Sequence, residues 1–381
     1  MQPSVKMEKL NPEYIMRCPL VPQYKMYEDE IKRAIETVLS SGHYINGPNV
    51  SAFEEEFSKY IGCKYGVGVN SGTDALIMAL WSLDLNKGDE VITTPFTFFA
   101  TYAAIRQLEL TPVFVDINPD TFLMDLEKVG ALISPKTRVV LPVHLFGNVV
   151  DIPRLREIVG KEIYIIEDCA QSHGASIAGR RAGALGDMSA FSFFPSKNLG
   201  GYGDGGMVLT DNEAFANKVR SRRTFGMKNK DVFMEHGVNT RLDELQAGIL
   251  RVKLRHLNEM NSRRKALASH YGGLLNPDYI KPQKIEKEVD AVYHVYSCKC
   301  PDRRDELAGY LEGNGIQTNV YYTSAISDQE AYKKYYSRKF DLPITNQITK
   351  SIISIPFYAE MKLSTLEHVA GSINHYFSNI R

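Results

Sequence analysis

The sequence has no excess charge of either sign: 45 Lys+Arg stand against 45 Asp+Glu in 381 residues. A nucleic-acid binder normally carries a basic surplus, so that class of partner is not expected. Small anionic ligands, which a few local donors can hold, stay open. Cysteine is scarce. Cys18, Cys63, Cys169, Cys298 and Cys300 are odd in number and scattered, which does not make a disulfide framework. Cys298 and Cys300 form a Cys-x-Cys with no second Cys/His pair at zinc-ligand spacing, so no metal is expected. They read as strand residues on alternating faces. The longest apolar run, Val139–Val150, is too short to span a bilayer and holds Pro142, His144, Gly147 and Asn148. Met1–Glu8 lacks the apolar core of a signal peptide. Internal repeats and low-complexity tracts are also missing. These absences point to a cytoplasmic, reduced protein with no membrane partner. What remains, 44% hydrophobic and 24% charged residues, suits a chain that buries its own core.

Between about Gly66 and Thr210, β-branched runs alternate with helical ones. The strand-like runs are Tyr65–Val69, Val91–Thr94, Pro112–Asp116, Arg138–His144, Ile163–Glu167, Ala190–Phe193 and Gly206–Thr210. Asp74–Leu83, Phe98–Leu108, Asp125–Ile133 and Asp151–Val159 read as the intervening helices. This alternation predicts an α/β domain with a mostly parallel central sheet, whose ligands sit beyond the carboxyl ends of the strands. From Thr240, apolar Leu242, Leu245, Ile249 and Val252 mark a long amphipathic helix leading out of that domain. Strand-like Ala291–Cys300 and Ile316–Tyr322, with helical Asp302–Glu312 and Thr365–Phe377, predict a smaller α+β unit. The expected division is a large domain over 1–255 and a small C-terminal domain over 256–381.

Three segments at predicted strand ends carry chemistry. Ser71-Gly72-Thr73-Asp74 opens a helix, where free N–H groups at the positive end of the dipole can hold a phosphate. Plain N-capping by Ser71 or Thr73 is the other reading. Glu167 and Asp168 end a buried strand, and a carboxylate there can be acid, base, metal ligand, ring-nitrogen partner or mere helix cap. Phe191–Phe194 lead through Pro195 to Lys197 and then to a cluster of glycines from Gly200 to Gly206. A lysine among apolar groups loses its charge more easily and can condense with a carbonyl, although a loop lysine can also simply face solvent. The glycines precede a strand rather than link a strand to a helix, which argues against a dinucleotide fingerprint. A pyridoxal phosphate enzyme needs a lysine, an acid, a phosphate cup and an aromatic over the ring, and all four occur here.

The chain resembles the DegT/DnrJ/StrS nucleotide-sugar aminotransferases of the aspartate aminotransferase superfamily, nearly end to end. The motifs that carry the resemblance are Glu167-Asp168-Cys169-Ala170-Gln171-Ser172-His173-Gly174-Ala175, Phe191-Ser192-Phe193-Phe194-Pro195-Ser196-Lys197 and Gly237-Val238-Asn239-Thr240-Arg241-Leu242-Asp243-Glu244. It implies a PLP-dependent transferase fold with pyridoxal 5'-phosphate as cofactor. Lys197 matches the lysine that carries the cofactor aldehyde, and Asp168 the partner of the pyridine nitrogen. Gln171 matches the residue beside the ring hydroxyl and Phe98 the stacked aromatic. Gly72, Thr73 and Ser192 match phosphate donors. Asn239 matches an asparagine that reaches the neighbour's phosphate, and Arg241 a ligand of the substrate diphosphate across the same interface. The resemblance therefore implies a homodimer with shared active sites. Tyr321-Tyr322-Thr323 stands where relatives often read His-Tyr-Pro, in a loop that faces substrate.

The implied reaction moves an amino group from L-glutamate to a keto group of a nucleotide-linked sugar, in amino-sugar or surface-polysaccharide biosynthesis. Lys197, rather than the histidine of the deoxygenating variant, favours transamination. The Gly203-Asp204-Gly205-Gly206 and Arg241-Leu242-Asp243-Glu244 stretches resemble those of members acting on 3-keto rather than 4-keto sugars, so the resemblance implies a 3-keto substrate. A non-catalytic regulator on the same fold is the alternative from another class.

Overall fold

The structure, a computed structural model, describes residues 14–379, so the reading of Met1–Glu8 lies outside the described residues. No helix among them is long and apolar enough to cross a membrane. The strands of the large sheet are β1 (Tyr65–Val69), β2 (Glu90–Thr93), β3 (Thr111–Phe114), β4 (Thr137–Leu141), β5 (Tyr164–Asp168), β6 (Met188–Ser192) and β7 (Gly206–Thr210). Their spatial order is β1-β7-β6-β5-β4-β2-β3. β7 runs antiparallel to both neighbours, and all other pairings are parallel. The mostly parallel α/β sheet is thus as expected. β4 stops at Leu141, short of the expected His144, because Pro142 cannot donate to a ladder. The expected helix Asp125–Ile133 is a short α-turn, Leu126–Val129, tightened into a 3₁₀ turn from Gly130 onward.

Side-chain alternation divides the sheet between two cores. Along β6, Met188 and Ala190 enter one core while Phe191, with Phe193 just beyond the strand, enters the other. Val208 and its neighbours Met207 and Leu209 on β7 divide the same way. Helices Gly72–Ser82, Phe99–Gln107 and Ile152–Val159 contribute to the first core; Pro48–Ile61 and the start of Glu244–Leu274 contribute to the second.

The division expected at 255/256 falls inside the helix Glu244–Leu274. Its Ala247–Met260 part belongs to the second large-sheet core, and its Leu267–Tyr271 part to a separate C-terminal core. That core is built on an antiparallel sheet of Lys281–Pro282, Tyr296–Lys299 and Ile352–Ile355, with helices Arg304–Gly313 and Leu363–Ser378. Three sequence expectations are corrected here. Ile316–Tyr322 is no strand: only Ile316 and Asn319 form isolated bridges, to Ile15 and Ser354, before the chain turns away. Ile15 therefore joins the C-terminal unit, not the large one. Cys298 and Cys300, two residues apart, share a face, and both are buried.

One register positions the site. Gly206 at the start of β7 pairs with Val69 at the end of β1 and with Ser192 at the end of β6. A Cβ at Gly206 would lie 2.2 Å from the Ser71 carbonyl oxygen and 2.9 Å from the Gly72 nitrogen. Gly206→Ala is accordingly expected to lose about 1–3 kcal/mol. Gly371→Ala, where a Cβ meets open space in the helix Leu363–Ser378, should gain about 0.5–1 kcal/mol. Urea unfolding of both variants checks the pair, and an unperturbed Gly206→Ala would refute the close approach.

Candidate functional site

A cavity of about 420 Å³ opens at the carboxyl ends of β1, β5 and β6. Gly72, Thr73, Phe98, Asp168, Gln171, Ser192, Lys197, Tyr321 and Tyr322 all line it. Asn239 and Arg241 do not. Asn239 is exposed and bridges Thr224, and Arg241 Nε is buried without a hydrogen-bond partner among the described residues.

The helix Gly72–Ser82 begins against this cavity. Ser71 caps it, its Oγ accepting the Asp74 N–H at 3.0 Å. Capping is thus real, but it leaves the N–H groups of Gly72 and Thr73 and the Thr73 hydroxyl without partners among the described residues. A Cβ at Gly72 would sit 2.4 Å from Ser192 Cβ, so only glycine lets the Ser192 hydroxyl approach the helix start. The outcome is a cluster of unused donors at the positive end of a helix, a ready anion site.

Alternation separates the two carboxylates of β5. Asp168 faces the cavity: its Oδ2 accepts the Thr101 hydroxyl at 2.9 Å and its Oδ1 the Ala170 N–H at 3.1 Å. Burial pushes its proton affinity up, opposed by those donors and by the charge of Lys197. Glu167 faces away and meets His144 Nε2 at 2.8 Å. Its oxygens also accept the N–H groups of Gly183 (2.9 Å), Leu185 (2.8 Å) and Gly186 (2.7 Å). Burial alone would raise Glu167, but His144 and these donors hold it below the ordinary carboxylate value. His144, Glu167 and Cys169 are close enough for a metal. The Val150 N–H already occupies His144 Nδ1, however, and the carboxylate lone pairs are taken, so the cluster is a hydrogen-bonded strut.

Lys197 follows β6 in the bend at Pro195, its backbone N–H bonded to the Phe194 carbonyl at 2.8 Å. Its Nζ has no hydrogen-bond or ion-pair partner among the described residues. Burial lowers it to about 8, against the opposing pull of Asp168. Gln171 Oε1 accepts the Phe146 N–H at 2.8 Å, and its Nε2 donates to the Tyr322 hydroxyl at 3.3 Å. The Phe98 ring is 59% exposed at the mouth, with the Tyr322 ring 6.5 Å away and tilted to it, and its open face is suited to stacking on a flat ligand.

Sequence reading missed Thr101, Phe146, His294 and Arg17, which also line the cavity. Thr101 lay within reach: Thr97 and Thr101 are four apart, and their hydroxyls meet at 2.9 Å. His294 and Arg17 carry no local signal, being far from the motifs in sequence.

Residues 25–374 match the model of the DegT/DnrJ/EryC1/StrS aminotransferase family. The chain belongs to the DegT/DnrJ/EryC1/StrS aminotransferase family. Within it, the chain is 38% identical over 362 residues to a "Pleiotropic regulatory protein" of Geobacillus stearothermophilus, covering 94% of this chain and 97% of that one. It is 39% identical over 369 residues to a dTDP-3-amino-3,4,6-trideoxy-alpha-D-glucose transaminase of Streptomyces venezuelae, covering 96% and 97%. The solved structure of S. venezuelae DesV superposes with a TM-score of 0.92 at 37% identity, covering 95% of this chain and 98% of that one. The fold is that of the PLP-dependent aminotransferases, and the chain is an enzyme of that class.

The Glu167 strut yields a prediction. Its carboxyl holds a proton less tightly when folded than the ordinary 4.5, so its stabilisation is present above that pH and fades as pH falls through the lowered value. Glu167→Gln, which leaves buried N–H donors facing an amide NH2, should cost about 1–3 kcal/mol near neutrality. It should also flatten the loss of stability on acidification, measured as urea midpoints between about pH 3 and 7. A variant with the wild-type acid slope would refute the role.

Proposed function

We propose that this protein moves an amino group from L-glutamate to the 3-keto group of a nucleotide-linked sugar, with pyridoxal 5'-phosphate as cofactor. One observation carries the reading: a partnerless amine and a buried carboxylate share a cavity with an unused helix-start anion site. Those groups fit the cofactor. Gly72, Thr73 and Ser192 would hold its phosphate, Asp168 its ring nitrogen, Gln171 its ring hydroxyl and Phe98 its face, with Lys197 at its aldehyde. When bound, the cofactor supplies an electron sink for carbanion formation at an amino acid's α-carbon. Lys197, lowered to about 8, is poised to take a proton from that carbon and return it elsewhere. With the cofactor bound, the Asp168 carboxylate would keep a proton on the ring nitrogen by charge attraction. Thr101 and the Ala170 N–H fix its orientation.

The 3-keto preference is supported by the relative named for a 3-amino sugar. Tyr321 and Tyr322 would face the sugar. Asn239 and Arg241, absent from their own chain's cavity, would complete a neighbour's site in a homodimer, Asn239 at the phosphate and Arg241 at the substrate diphosphate. Beside them Phe225, Val232, Phe233, Met234 and Val238 are all exposed, an apolar patch that a second subunit would cover. A cytoplasmic location goes with five free cysteines. A regulator without turnover, the reading that one relative's name favours, would bind cofactor and leave substrates unchanged.

The deciding experiment offers UDP-, dTDP- and GDP-linked 3-keto and 4-keto sugars with L-glutamate, read by mass spectrometry. A mass change from ketone to amine on a 3-keto sugar is expected. Lys197→Ala should abolish it and Asp168→Asn should slow it by several powers of ten, each worth about 1.4 kcal/mol of barrier. No turnover by holoenzyme on any sugar would leave the regulatory reading standing.

Mixing Lys197→Ala with Asn239→Ala tests the shared site. In a hybrid dimer one site carries both changes and the other neither, so activity should return to each hybrid at one site. Proven subunit exchange without recovery would refute a site completed by Asn239.

A further inference from the structure

Arg17 enters the cavity from outside the elements that hold the cofactor. Its backbone is fixed on the C-terminal unit: its N–H donates to Gln317 Oε1 at 3.0 Å and its carbonyl accepts the Phe357 N–H at 3.0 Å. The side chain is partly buried, lies 5.3 Å from the centre of the Tyr321 ring and donates to the Tyr321 hydroxyl. It has no carboxylate within ion-pair distance among the described residues, and it is the only arginine among those lining the cavity. Lys197 is the other cation there, and its amine is committed to proton transfer. His294, on the same wall, is held neutral by burial and by the surrounding positive charge, so it adds no second cation beside Arg17.

A guanidinium with unused donors, anchored by its backbone and exposed to a cavity, is built to take a carboxylate in two parallel hydrogen bonds. An amino-acid donor must bring such a group into this cavity. We propose that Arg17, oriented by Tyr321, binds a substrate carboxylate, that of the amino donor in the first place. This assignment rests on the transaminase reading above. The same chemistry could come instead from a carboxylate on the sugar, so the test has an arm for each source.

The glutamate half-reaction of the holoenzyme, followed by the cofactor's absorbance, needs no sugar. Arg17→Gln should raise the glutamate concentration for half-saturation about 10- to 100-fold, with a much smaller change in limiting rate, and Arg17→Lys should recover part of the loss. The second arm presents the aminated enzyme with keto sugars with and without a carboxylate; a defect confined to the carboxylate-bearing sugar assigns Arg17 to that source. Calorimetric titration with succinate, which cannot react, reads the same subsite without turnover. Arg17→Gln should abolish its binding while leaving the melting transition in place. Unchanged glutamate saturation, sugar saturation and succinate binding would overturn the assignment. Weakened succinate binding in an enzyme that aminates no sugar would instead retain Arg17 and sink the sugar reading.

Discussion

The structure depends on holding a lysine amine and an aspartate carboxylate in one desolvated cavity without letting them close into an ion pair. Burial drives each toward neutrality, Lys197 downward and Asp168 upward, and each charge resists the shift in the other. A direct contact would cancel the reactivity of both. The backbone prevents it: Asp168 is fixed at the end of β5 by Thr101 and Ala170, while Lys197 sits past the Pro195 bend after β6. The gap between them is where a flat ligand with a basic nitrogen and an aldehyde would lie.

That gap exists because of how the sheet is wound. Inserting one antiparallel strand, β7, between β1 and β6 brings Gly206 against Ser71 and Gly72. The helix start, Ser192 and the lysine loop then share one edge. The loop itself is held from below. Gln246 Oε1 accepts the Tyr202 N–H at 2.8 Å, and the fully buried Lys253 donates to the Gly200 carbonyl. Side chains at Gly201 or Gly203 would strike Gln246, so the glycine run is a packing requirement of that support.

Much of this was legible in the sequence because it is local. A strand followed by Ser-Gly-Thr, a strand ending in Glu-Asp and an aromatic strand leading to a lone lysine each predict their own surroundings. The alternation that sends Asp168 into the cavity and Glu167 to His144 also follows from strand period. What was illegible is what tertiary packing decides. Ile316–Tyr322 has a strand's composition but forms only isolated bridges at Ile316 and Asn319. The partner of Glu167 lies 23 residues earlier, and no spacing rule links the two.

The same distinction divides the site by role. Within the chain's own cavity, the groups suited to the cofactor come from one stretch, Gly72 to Lys197, on a rigid sheet whose strand ends are fixed by mutual register. Much of the remaining wall comes from Arg17, His294, Tyr321 and Tyr322, drawn from segments bridged to the smaller unit or leading into it. Changing those residues alters what the cavity accepts without disturbing the register that holds Asp168 and Lys197 apart. Chemistry is therefore written where the chain is contiguous, and substrate choice where it is not. That is why the reaction class can be read from motifs while the sugar must be found at the bench.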